Sequence, residues 1–193
     1  MTEEHAGRPL IHPETSEAWR AWLADHHATV DGAWVARRTK ASGRETLTYN
    51  ALVEEALCFG WIDGLTHSLP DGRQAQLLTP RRAGSGWARS NKDRVERLIA
   101  DGRMTDAGLA VIASAKADGS WSMQDAAEAL IEPDELEAAL NASSAARRHW
   151  DQFPSSPRRA LIWWVMSAKR PETRARRVAT IVEEAAAGRR ANY

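Results

Sequence analysis

The sequence predicts an α+β fold: a small antiparallel sheet of about three strands packed with helices, followed by a C-terminal helical module. Three observations carry that expectation. Apolar residues recur at helical spacing in several separate stretches, and one stretch alternates as a strand should. A strong hairpin signal, LPDG, lies between two further extended runs. The second half of the chain carries helical periodicity with no strand pattern.

Taken in order, Glu14 to His27 reads as an amphipathic helix in which Trp19, Trp22 and Leu23 share a face. Asp31-Gly32 ends that segment, and GAWVARR alternates as a strand. The polar stretch ASGRET leads to Thr48, which suits the N-cap of a helix containing Leu52, Val53, Ala56 and Leu57. Gly60 is a natural stop, because a left-handed residue at a helix end costs glycine nothing. Trp61–Ser68 and Arg73–Thr79 then flank LPDG as the two arms of a hairpin. Beyond TPRRAGS, the residues Trp87, Asn91, Val95 and Leu98 line up at helical spacing, and Gly102 closes the segment. Further helices are expected over Thr105 to about Ala117, Asp134 to Phe153, a stretch led by Pro157, and Pro171 into the 180s.

Length and composition narrow the function. A chain of 193 residues with 43% hydrophobic and 27% charged residues is that of a globular protein. Its nine tryptophans imply either a core stiffened by indoles or a stacking pocket. The acidic start MTEEHAGRPL lacks the pattern of a secretory signal, and the longest apolar run, ALIWWVMSA, is too short to span a bilayer. A cytoplasmic location without membrane insertion is therefore expected. One cysteine leaves no partner for an internal disulfide, and no histidine or cysteine spacing supports a metal site. No glycine-rich phosphate motif points to a nucleotide, so no cofactor is expected.

Net charge is zero, yet the charges are segregated. Between Ala117 and Asn141 every charged residue is an acid, and from Ala142 onward arginines dominate. The two runs either neutralise each other or leave a basic face, Arg170, Arg174 and Arg177, for an acidic protein or polyanion. The tail lacks the aromatic content of nucleic-acid readers, which argues against that partner.

Three groups of residues carry candidate chemistry. If Trp61 to Ser68 is a regular strand, Asp63 and His67 share a face, and that pairing suits proton transfer; the alternative is a surface pair. Cys58 lies at a helix end, where it is either a nucleophile or a small buried hydrophobe. TPRRAGS delivers Arg81 and Arg82 just before a helix with Ser85 as its expected N-cap, the outline of an anion cradle. Trp61, Asp63, Trp87 and Asn91 complete the candidate site for a small anionic ligand; the alternative pairs an arginine with Asp63 and places the tryptophans in the core.

ALCFGWIDG, TPRRAGSGWARSN, GRMTDAGL and SAKRPETRARR occur in the order and approximate spacing of the YdeI/OmpD-associated family, also labelled bacteriocin-protection or OmdA-type proteins. The chain resembles that family over most of its length. Ala88 stands where members more often carry Ser, which removes one hydroxyl from the loop after Trp87. The resemblance implies an α+β body with a C-terminal helical module, and together with the charge segregation this divides the chain into an α+β body over 1–116, an acidic connecting segment over 117–141 and a helical OmdA-like module over 142–193. It also implies a link to antimicrobial-peptide resistance and to an outer-membrane porin, without an established reaction. Acting on that site as an enzyme, with Asp63 or His67 moving the proton and Arg81 or Arg82 stabilising negative charge, is the alternative.

Overall fold

Two short strands that alternation does not reveal extend the sheet. The computed structural model describes residues 3–38 and 47–191, so the stretch ASGRET lies outside the described residues. Strands β1 (Glu4–His5), β2 (Arg8–Ile11), β3 (Ala33–Arg37), β4 (Trp61–Ser68) and β5 (Gln74–Pro80) form one sheet in the order β1-β2-β3-β5-β4. The expectation of three antiparallel strands is corrected to a mixed sheet of five, because β2 runs parallel to β3. Parallel neighbours need a crossover, and α1 (Ser16–His26) lies in the connection between them. β1 and β2 are two and four residues long and include Pro9, so neither offers a periodic signal.

The chain divides into two units, Met1–Trp121 and Ser122–Tyr193. In the first, α1, α2 (Tyr49–Cys58), α3 (Arg89–Ala100) and α4 (Asp106–Ala117) accompany the sheet. Local chemistry sets the helix starts as expected: Thr15, Thr48 and Thr105 each accept a backbone N–H with their side chain. Residues on alternate sides of β3 separate into two apolar clusters. Ala33 and Val35 join Trp19, Leu52, Trp61 and Leu78 in the main core, while Trp34 and Ala36 pack with Leu10 and Ala75 on the other face. Tryptophan serves chiefly as core: Trp19, Trp34, Trp61 and Trp87 are fully buried here. The indole N–H of Trp19 donates to the Leu52 carbonyl at 3.1 Å, and that of Trp61 to the His27 carbonyl at 3.2 Å. A buried carboxylate, Glu55, ties α2 to its neighbours through Arg20 at 2.8 Å and Arg103 at 2.5 Å.

The corner after α2 joins elements that are far apart in the chain. The Cys58 carbonyl accepts the Thr105 N–H at 3.1 Å and the Thr105 hydroxyl at 2.6 Å, while the Gly60 carbonyl accepts the Arg81 N–H at 2.9 Å. Gly60 holds φ at 75°, a left-handed conformation that favours glycine. Gly108 lies so close that a Cβ there would stand 2.3 Å from the Cys58 oxygen.

The second unit is helical: α5 (Asp125–Glu128), α6 (Asp134–Asn141), α7 (Ser144–Gln152), α8 (Ser155–Met166) and α9 (Pro171–Ala186). The single helix expected over Asp134 to Phe153 is two, because Ser143 adopts extended φ/ψ and caps α7 by accepting the Ala146 N–H. The boundary between the units falls after Trp121, within the acidic stretch 117–141, and α5 and α6 lie in the second unit. Its core gathers Leu136, Leu140, Trp150, Ile162, Val165 and Ile181. Glu132 sits at its edge and accepts from Arg147 at 2.7 and 3.0 Å, Trp150 at 2.7 Å and Arg158 at 3.3 Å. Burial works to raise the Glu132 carboxyl, but these donors hold it below the ordinary carboxylate range.

Gly108→Ala is expected to destabilise the protein by about 1–3 kcal/mol, the usual cost of forcing a methyl into a filled site, read as a lower urea midpoint. Gly64→Ala, whose Cβ meets nothing nearer than 3.8 Å, is expected to change stability by less than about 0.5 kcal/mol. Equal effects of the two substitutions would contradict the close packing assigned to the corner.

Candidate ligand-binding site

A β-bulge separates the two groups that regular alternation would pair. On β4, Asp63 is opposite Leu78 and Thr66 is opposite Gln76, so three residues of β4 span two of β5. The slip reverses the facing of everything beyond it. Asp63 shares the face of Leu78, in the main core cluster, and His67 shares that of Ala75, on the other side. The acid/base pair read from Asp63 and His67 is therefore corrected: the residues face opposite sides of the sheet. Asp63 accepts the Tyr49 hydroxyl at 2.6 Å. His67 stacks on Trp34 with ring centroids 4.3 Å apart, and its Nδ1 lies 2.9 Å from His5 Nε2. Burial, then the hydrogen bond to Asp63, pushes the Tyr49 phenol up to about 12.

Cys58 is fully buried, and burial pushes its thiol up against the opposing pull of Arg20. A buried thiol with a raised pKa favours the packing reading of Cys58, with ALCFGWIDG as a tight corner.

The loop after β5 does gather part of the expected cradle. The Arg81 guanidinium lies 3.9 Å from the centre of the Trp87 ring and donates to the carbonyl oxygens of Ser85, at 3.4 Å, and Gly86. Burial lowers the Arg81 pKa to about 10, although the Asp63 charge works to raise it. The hydrogen bonds of this side chain run to carbonyls and not to Asp63. Arg82 is exposed, and its carbonyl accepts the Ser85 hydroxyl at 2.6 Å. Ser85 is consequently not the cap of α3: that position is Ala88, which offers no side-chain acceptor. Trp87 precedes the helix instead of sharing a face with Asn91, whose amide oxygen accepts from Arg94 at 3.0 Å.

Arg81, Arg82, Ser85 and Trp87 line a pocket of about 110 Å³ together with Val111, Ser114, Asp118 and Ser120. Trp61, Asp63 and Asn91 are not among its walls. Sequence reasoning missed Ser114, Asp118 and Ser120. The available signal was Asp118 at the end of a helix, where a carboxylate readily bonds nearby backbone N–H groups. Its oxygens accept from Gly84 N at 3.1 Å and Ser120 N at 2.8 Å. Hydrogen bonds from Ser120, with a smaller one from Gly84, hold the Asp118 carboxyl below its ordinary value.

In the second unit the segregated charges meet. Glu128 pairs with Arg159 at 2.9 Å, Glu132 with Arg147 and Arg158, and Glu135 with Arg174. Of the expected basic face, Arg174 is thus paired, and Arg177 donates to the Trp164 carbonyl and to the Ser167 hydroxyl at 3.1 Å. Arg170 remains exposed at the start of α9. Between α6 and α9 lies an open groove of about 670 Å³ walled by Ala139, Ala175, Val178, Ala179 and Val182, with Glu135, Arg174 and Glu183 also lining it. Among the described residues no group of three or more histidine, cysteine or acidic side chains is arranged to hold a metal, and no helix is long and apolar enough to cross a membrane.

Residues 11–111, just over half of the chain, match the family described as Domain of unknown function (DUF8412), and residues 129–188 match that described as Bacteriocin-protection, YdeI or OmpD-Associated. The chain belongs to the DUF8412 family, and its residues 129–188 are similar to the YdeI/OmpD-associated family. The motifs ALCFGWIDG, TPRRAGSGWARSN and GRMTDAGL lie within the first match, and SAKRPETRARR lies within the second. No curated protein and no solved structure gives a significant match.

Alkaline titration of tyrosinate absorbance is expected to show Tyr49 ionising at about 12, and Asp63→Asn is expected to lower that value. The folded phenol holds its proton more tightly than the unfolded one. Its contribution to stability is therefore intact below the ordinary phenol pKa of about 10, and is lost as pH rises through the folded value. Ionisation in the ordinary range, unmoved by Asp63→Asn, would contradict the Tyr49–Asp63 bond.

Proposed function

We propose that this protein acts in resistance to antimicrobial peptides as a binding protein, and that the α6–α9 groove receives a cationic amphipathic peptide helix. The observation that carries this reading is the apolar groove on the unit with the YdeI/OmpD-associated match. Ala139, Ala175 and Ala179 leave room for a helix backbone to approach, while Val178 and Val182 offer apolar surface. Charge favours a basic partner. Glu135 already neutralises Arg174, the one basic residue lining the groove, and Glu183 adds a second acid there. Asp134 and Glu137 add exposed carboxylates on the same short helix as Glu135. The family description, Bacteriocin-protection, supports the same direction.

The readings with less support are an enzyme using Asp63 and His67, which face opposite sides of the sheet, and a basic face docking on an acidic partner. For the latter, Arg174 and Arg177 already have partners within the unit.

Fluorescence anisotropy of a labelled cationic amphipathic peptide of about 15 residues, long enough to form a helix, tests the proposal. Saturable binding is expected that weakens with salt and falls at least about tenfold in Ala179→Arg, a change at an exposed helix position that fills the groove and adds a like charge. Cells producing the wild-type protein are expected to survive such a peptide better than cells producing that variant. Equal affinity of both proteins, or no binding by either, would overturn the proposal.

A further inference from the structure

The pocket beside residues 81–87 lies in the other unit and is independent of the peptide groove. Trp87 lines it at 2% exposure, and its indole N–H is buried without an acceptor. Buried N–H groups are almost always paired in folded proteins, so an unpaired one beside a cavity calls for a ligand or solvent acceptor there. Arg81 stacks on the same ring, and its Nε is likewise buried without an acceptor. The other hydrogen bonds of the Arg81 side chain run to neutral carbonyls, so its charge has no carboxylate in contact. Two unpaired donors thus lie at this side of the pocket, and Arg82 adds a cationic side chain at its wall.

The lining also limits the charge a ligand can carry. Asp118 faces the same space, its two oxygens taken by Gly84 and Ser120. Two arginines against one carboxylate leave the lining with a single net positive charge. A monoanion balances it, whereas a dianion meets Asp118 in excess. Volume limits size as well: a cavity of about 150 Å³ holds a benzene ring, so about 110 Å³ holds a ligand of a few heavy atoms. Val111 and Ala115 supply apolar wall for a short carbon chain.

We infer that this pocket binds a small monocarboxylate, whose oxygens accept from Trp87 and Arg81 while its short carbon tail rests against Val111 and Ala115. Arg82 at the exposed rim guides the anion inward.

Isothermal titration of the full chain with propionate, at constant ionic strength set by chloride, tests this directly. Parallel titrations use inorganic phosphate and the neutral isostere propionamide. Saturable binding of propionate alone is expected, with a matching rise in melting temperature. Trp87→Phe keeps an aromatic ring and deletes the N–H, and is expected to weaken binding at least about tenfold, the loss typical of a hydrogen bond to a charged group. Arg82→Ala alters only an exposed side chain, so it reports on the site even if Trp87→Phe fails to fold; a weakening of several-fold is expected. Absence of saturable propionate binding would overturn the inference, as would equal affinity for propionamide. Tighter binding of phosphate, or wild-type affinity in Arg82→Ala, would do the same.

Discussion

The Cys58 carbonyl oxygen is the fixed point of the first unit. It sits at the last turn of α2 and accepts two hydrogen bonds from Thr105, and Gly108 packs against it at a distance that no side chain permits. Two residues on, the Gly60 carbonyl takes the N–H of Arg81. One corner thus joins the end of a helix, the start of a strand, the start of another helix and the end of the hairpin. A twelve-residue helix is a stiff rod about 18 Å long, so fixing the first turn of α4 also sets where its far end delivers Asp118. There the carboxylate bonds the Gly84 N–H and closes the loop that began at Arg81. The pocket is the space that this arrangement leaves between the loop and the helix.

The second unit is organised by charge neutralisation at the margin of an apolar core. Glu132 alone engages two arginines and the Trp150 indole, and Glu128 and Glu135 each hold one arginine more. Removing one member would leave a partly buried charge without its partner, which costs more than the pair contributes. The groove beside the arginine-rich stretch is lined by two acids and one base, Glu135, Glu183 and Arg174, and of the nearby arginines Arg174 turns to Glu135 and Arg177 to Ser167.

Much of the fold is legible in the sequence because local chemistry decides it. Thr48 and Thr105 cap as their hydroxyls dictate, and Gly60 turns the chain because it tolerates a left-handed φ. In the hairpin turn the Gly72 N–H donates to the Leu69 carbonyl, and the Asp71 carboxylate accepts the Arg73 N–H. The illegible parts depend on pairing between distant residues. β1 and β2 are too short to show a period, and their places are set by the strands beside them. The bulge between Asp63 and Thr66 separates Asp63 from His67, and Gly64 inside the strand was the only hint of it. The cradle was half legible: Arg81, Arg82 and Trp87 are local, while Ser114, Asp118 and Ser120 come from the helix that the corner brings in and the turn after it.

The most direct measurement is the resonance of the Trp87 indole N–H in the ¹⁵N-labelled protein, assigned by its disappearance in Trp87→Phe and followed through a propionate titration. A saturable downfield shift of that resonance is expected, as a buried donor without an acceptor gains a carboxylate. A Trp87 resonance that stays in place while propionate reaches saturating excess would contradict the monocarboxylate site, and would leave the pocket a by-product of packing around the corner.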